Sequence, residues 1–106
     1  MIHLLIAAAI AAQPTQMVHI YNAPDSDSCA TWTSDRKNRG SQVQEGWLLG
    51  FVTGYNSFKA PNGDIAAGIT SDGLIGWVDQ YCAANPLESV TTASFKLIKE
   101  LERRAR

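Results

Sequence analysis

The sequence is short of the side chains from which catalytic and metal sites are built. It has two histidines, His3 and His19, and two cysteines, Cys29 and Cys82, far apart in the chain. Zinc sites want four thiolate or imidazole ligands, often in closely spaced pairs, so no metal and no other cofactor is expected. Thioredoxin-like redox chemistry needs two nearby thiols, and these are missing too. Charge is scarce: 9 Lys plus Arg face 10 Asp plus Glu for a net −1, and 18% of residues are charged. That balance supplies neither a basic field for nucleic acid nor a charged tail. Apolar runs stay below the roughly 18 residues of a membrane-spanning helix, so no stable membrane insertion is expected. What remains is 106 residues, 45% apolar, which suits one small globular domain and is too apolar for a disordered chain.

The start of the chain reads as an address label. Met1 to Ala12 carry one polar side chain, His3, before an unbroken apolar run from Leu4 to Ala12. Such a run is too short to anchor in a bilayer but has the length of a signal-peptide core, with small residues at Ala9, Ala11 and Ala12 offering a cleavage point. Residues 1–12 are therefore expected to be a signal peptide, and the protein periplasmic or secreted. In an exported chain, Cys29 and Cys82 are most simply one disulfide. A link across about 52 residues constrains the unfolded chain by roughly 4 kcal/mol in the loop-closure argument.

Residues 13–27, with Pro14, Pro24 and the Asp25-Ser26-Asp27-Ser28 cluster, have no sustained period and read as an extended lead-in. Residues 28–106 read as a single helical domain. A first helix over about 28–37 starts at Ser28 or Asp27 and puts Cys29, Trp32 and Thr33 on one face. A second, from Val43 to Phe58, carries a stripe of Val43, Trp47, Leu48, Phe51, Val52 and Tyr55, with Trp47 in the core. Gly46, Gly50 and Gly54 recur every four residues there, which predicts a flat ridge approached closely by another helix. After a Gly-rich loop, Thr70, Ser71 or Asp72 caps a third helix with Leu74, Ile75, Val78, Tyr81 and Cys82 inward. Asn85-Pro86-Leu87-Glu88 has the form of a helix start with a capping box. The last helix buries Val90, Ala93, Ser94, Leu97, Ile98 and Leu101 and runs to about Arg103. The fold class is all-α: a small four-helix domain with one disulfide.

Chemistry finds little purchase in this pattern. His19, the one histidine beyond the leader, falls in the lead-in and reads as a surface residue. Glu45 and Asp79 read as solvent-face carboxylates, and Asp72 and Glu88 as helix-start residues, so none forms a persuasive acid/base pair. The expectation is no enzyme and no catalytic residue. Aromatics say more: Trp47, Phe51, Tyr55 and Trp77 form the candidate apolar binding surface, Trp77 lying partly off the core face of its helix.

Ser28-Cys29-Ala30-Thr31-Trp32, the Gly46-Trp47-Leu48-Leu49-Gly50-Phe51 helix, Trp77-Val78-Asp79-Gln80-Tyr81-Cys82 and the basic last helix together resemble the HdeA/HdeB family of periplasmic acid-stress chaperones. The likeness covers about residues 28–104 and rests on helix order and cysteine placement; the Lys59 to Ser71 loop departs from the family. It implies a bridged Cys29–Cys82 pair, a homodimer near neutrality, and a holdase that loosens in acid and binds unfolding client proteins. The Rap/Tai immunity proteins, exported helical inhibitors of secreted toxins, are similar to the same degree and imply a specific protein partner instead; an envelope structural protein is the third reading. In acid, ten carboxylates would lose charge between about pH 5 and pH 2, leaving roughly +11 on the mature chain. Self-repulsion would then strain the bundle, and the glycine-rich second helix is expected to loosen first.

Overall fold

The computed structural model describes residues 18–21 and 28–106; the expected signal peptide, and the lead-in apart from residues 18–21, lie outside the described residues. Among these residues four helices follow in order: α1 Cys29–Lys37, α2 Gln42–Phe58, α3 Ser71–Ala84 and α4 Val90–Ala105. Among the described residues the sole β element is an isolated antiparallel bridge between Ser28 and Ser89. The domain is all-α, and Cys29 and Cys82 are joined by a disulfide linking α1 to α3, with 4.7 Å between their Cα atoms.

Cap chemistry sets most of the helix starts. Ser28 accepts from the Thr31 amide, Thr70 from the Gly73 amide and Ser89 from the Thr92 amide, each supplying an acceptor to the first turn. The expected start at Asn85-Pro86 is corrected: Asn85 closes α3 and α4 begins at Val90. A long-range contact moves the start. The Cys29 amide donates to the Glu88 carbonyl at 2.8 Å and the Ala30 amide to the Pro86 carbonyl at 3.1 Å. Segment 86–88 thus stays out of a helix and satisfies the otherwise orphaned amides of α1. At the other end of α1, Arg39 takes the left-handed conformation (φ 57°) ahead of Gly40, whose amide returns to Asp35 O at 2.8 Å.

The core is gathered around the disulfide. Cys29, Trp32, Leu48, Val78, Cys82, Val90 and Ala93 are fully buried, with Leu97 and Leu101 continuing the row along α4. All six residues assigned to the inner face of α4 are buried. On α2 the stripe is rotated from the one expected. Gln44, Leu48 and Val52 are its buried residues, whereas Val43 and Phe58 are 71% and 87% exposed. Trp47 is half-buried at the edge rather than in the core. The glycine ridge is likewise corrected: a β-carbon at Gly46, Gly50 or Gly54 would meet no atom within 4 Å, so among the described residues no helix approaches there. The segment between α2 and α3 closes the base of the bundle, tucking Ala66 into the core while Asn56 accepts from the Ile65 amide at 2.8 Å.

Candidate functional site

The aromatic residues singled out from the sequence fall into two places. On α2, Trp47 stacks on Phe51, with ring centroids 5.6 Å apart, and Phe51 meets Phe95 of α4 at 5.3 Å. One turn on, Tyr55 donates its hydroxyl to Glu102 of α4 at 2.5 Å. These side chains line the seam between α2 and α4, which opens near Tyr55 into a groove of about 550 Å³ edged by Lys59, Ile65, Lys99 and Arg106. Trp77 lies elsewhere, in the seam between α3 and α4, stacked on Tyr81 at 5.5 Å beside Lys96, Lys99 and Arg103. Lys99 lines both seams, so the outward ridge of α4 divides Trp77 from the other three. Trp47 also donates its indole N–H to the Tyr21 carbonyl at 3.3 Å, which lays the described part of the lead-in across α2.

The carboxylates expected to be idle turn out to hold the helices together, which corrects the reading of Glu45 and Asp79 as solvent-face residues. Trp32 is fully buried and its indole N–H needs an acceptor; Asp79 Oδ1 takes it at 2.7 Å. Arg36 grips the same carboxylate with Nε and Nη2, both at 2.9 Å, and reaches Glu45 with Nη1 at 3.3 Å. This two-pronged geometry, with Glu45 also accepting from Ser41, ties α1 to α3 and to the start of α2. Hydrogen bonding to Asp79 is the main reason that the Arg36 pKa rises above its ordinary value. Gln44, buried on α2, donates to Asp35 of α1 at 2.8 Å. Glu88, expected in a capping box, instead accepts from Tyr81 at 2.7 Å. Acceptance by Glu102 and Glu88 raises the pKa values of Tyr55 and Tyr81, because ionising either phenol would set two negative charges together.

A separate acidic group sits at the end of α4. Glu100 is hydrogen-bonded by Arg103 and then by Arg104, and these bonds draw its pKa down to about 2. Among the described residues no group of three or more His, Cys, Asp or Glu side chains is arranged to hold a metal ion, and no helix is long and apolar enough to cross a membrane. His19 stacks on Tyr21 at 4.5 Å.

Comparison with protein-family models, curated proteins and solved structures finds no match to this chain. The functional reading therefore rests on the geometry above. That geometry offers open seams lined with aromatic rings and a set of inter-helix ties made of carboxylates.

Proposed function

We propose that the chain is an exported, non-enzymatic protein that binds unfolding polypeptides in acid, a holdase whose covered apolar surface is released as its inter-helix ties weaken. The observation that carries this reading is the shared chemistry of those ties. Arg36 to Glu45 and Gln44 to Asp35 join α2 to α1, Tyr55 to Glu102 joins α2 to α4, and each of these ties ends on a carboxylate. A carboxylate that takes a proton loses the charge that strengthens such bonds, and it leaves Arg36 facing neutral groups. The disulfide does not respond to acid, so α1 and α3 stay joined while α2 can part from α4. Parting exposes Leu48 and Val52 along with Phe51 and Phe95, a surface able to hold an unfolding client.

Light scattering of an acid-labile client enzyme tests the reading, using oxidised protein at pH 7 and at pH 3. Suppression of aggregation at pH 3 and its absence at pH 7 is the expected result. The Glu102→Gln variant imitates protonation of one tie and should move the onset of suppression to higher pH. Failure to suppress at any pH, with the helices intact, would contradict the proposal and leave a dedicated protein partner, as in the immunity proteins, as the better account.

A further inference from the structure

The outward ridge of α4 carries a charge pattern that neither the fold nor acid loosening uses. Lys96, Lys99 and Arg103 follow one another at spacings of three and four residues, which sets them on one face of the helix, and Arg106 at its C-cap extends the row to about 15 Å. All four are exposed. Compensation of the helix dipole accounts for cations in the last turn only, so it covers Arg103 and Arg104 and leaves Lys96 and Lys99 unexplained. Internal pairing does not account for them either. Arg103 and Arg104 share Glu100, and Glu102 accepts from Tyr55, while Lys96, Lys99 and Arg106 have no ion-pair partner among the described residues. Lys59, across the larger groove, has none either. In a chain of net charge −1, this is a local concentration of unmatched positive charge.

The ridge is flanked by aromatic seams on both sides, Phe51, Phe95 and Tyr55 on one and Trp77 stacked on Tyr81 on the other. We propose that this ridge and its seams form a docking site, at neutral pH, for an acidic polypeptide segment that carries apolar side chains among its carboxylates. The cations match the carboxylates and the seams receive the apolar groups, the division of labour found at protein interfaces. An anionic membrane surface fits less well. Interfacial helices bury a protruding apolar face, whereas the large apolar side chains most exposed here, such as Val43, Phe58 and Leu87, lie off α4. The site does not depend on the acid-holdase reading, since it acts while the bundle is closed.

Fluorescence anisotropy provides the test, with full-length oxidised protein at pH 7 and a labelled twelve-residue peptide of alternating Glu and Leu. Binding is expected, weakening severalfold between 50 and 300 mM NaCl and falling at least tenfold when Gln replaces Glu in the peptide. The Lys96→Glu/Lys99→Glu variant should also bind the acidic peptide at least tenfold more weakly. Circular dichroism is expected to show its helices unchanged, both positions being exposed. Equal affinity for the Glu and Gln peptides, or an undiminished affinity in the double variant, would overturn the proposal. So would sedimentation of the protein with phosphatidylglycerol vesicles in preference to binding the peptide. Retention of client suppression at pH 3 by the double variant keeps this outcome separate from the fate of the holdase.

Discussion

The two sides of the bundle are held by different means. Around the disulfide, α1, α3 and the start of α4 meet through fully buried Cys29, Trp32, Val78, Cys82, Val90 and Ala93. A covalent link, a buried indole bonded to Asp79 and two backbone bonds from α1 to segment 86–88 reinforce that packing. Helix α2 has three buried side chains, one of them the polar Gln44, and carries three glycines on positions that no other described helix approaches. The difference teaches that the cross-link and most of the fully buried side chains are gathered on one side, so α2 is the helix expected to open first.

Breaking the stronger side should cost most. Reducing the disulfide, or replacing both cysteines by serine, is expected to destabilise the domain by roughly 4 kcal/mol, read from urea unfolding of oxidised and reduced protein. Trp32→Ala should cost about 3–5 kcal/mol by emptying a large part of the core beside the disulfide. Asp79→Ala should cost about 1–3 kcal/mol, chiefly by leaving the buried Trp32 indole without its acceptor, because the Arg36 pair is more than one-third exposed and contributes little. The comparison sharpens on α2, where the sign reverses. Gly50→Ala has open space for its methyl group and should raise stability by about 1 kcal/mol through helix propensity alone. A helix held in place in this way should also need lower pH for client suppression.

The smallest effects concern titration. Glu100 has a folded pKa of about 2, below its ordinary value, so its contribution is present above the usual carboxylate range and is lost as pH falls toward 2. At pH 3 the Glu100 cluster is expected to remain intact, and Arg103→Ala should alter helicity there. Tyr55 and Tyr81 have raised pKa values, so the stabilisation from their bonds is present below the ordinary phenol pKa and lost as pH rises through the higher folded value. In an alkaline absorbance titration, Tyr55→Phe should delete a late-ionising component.

How much of this was legible in the sequence depended on whether the deciding contact was local. The face of α4 was readable residue by residue because its apolar and charged positions alternate cleanly. The caps at Ser28 and Thr70 were within reach, among two and three neighbouring candidates, because the cap oxygen and the amide that donates to it lie three residues apart. Ser89 was missed because Asn85-Pro86 has equally good local chemistry, and the contact that disfavours it comes from Cys29 and Ala30. The α2 stripe was rotated in the reading because periodicity ranks Trp47 as core and Gln44 as surface. Asp35, nine residues away, satisfies the Gln44 amide and reverses that order. Arg36 and Asp79 are 43 residues apart, and no local pattern joins them. One signal was present: a tryptophan beside a buried disulfide needs an acceptor, and Asp79 lies one turn from Cys82 on the neighbouring helix. The four candidate aromatics were identifiable as aromatics, but their division by the α4 ridge required the packing.

The most direct test of the unequal bundle is hydrogen exchange of the oxidised full-length protein, followed by mass spectrometry of peptic fragments, at pH 7 and at pH 3 after correction for intrinsic rates. The account predicts that at pH 3 the amides of α2 lose protection while those of α1 and α3 beside Cys29–Cys82 keep theirs. Uniform loss across all four helices, or a stable α2 with α1 opening first, would contradict it.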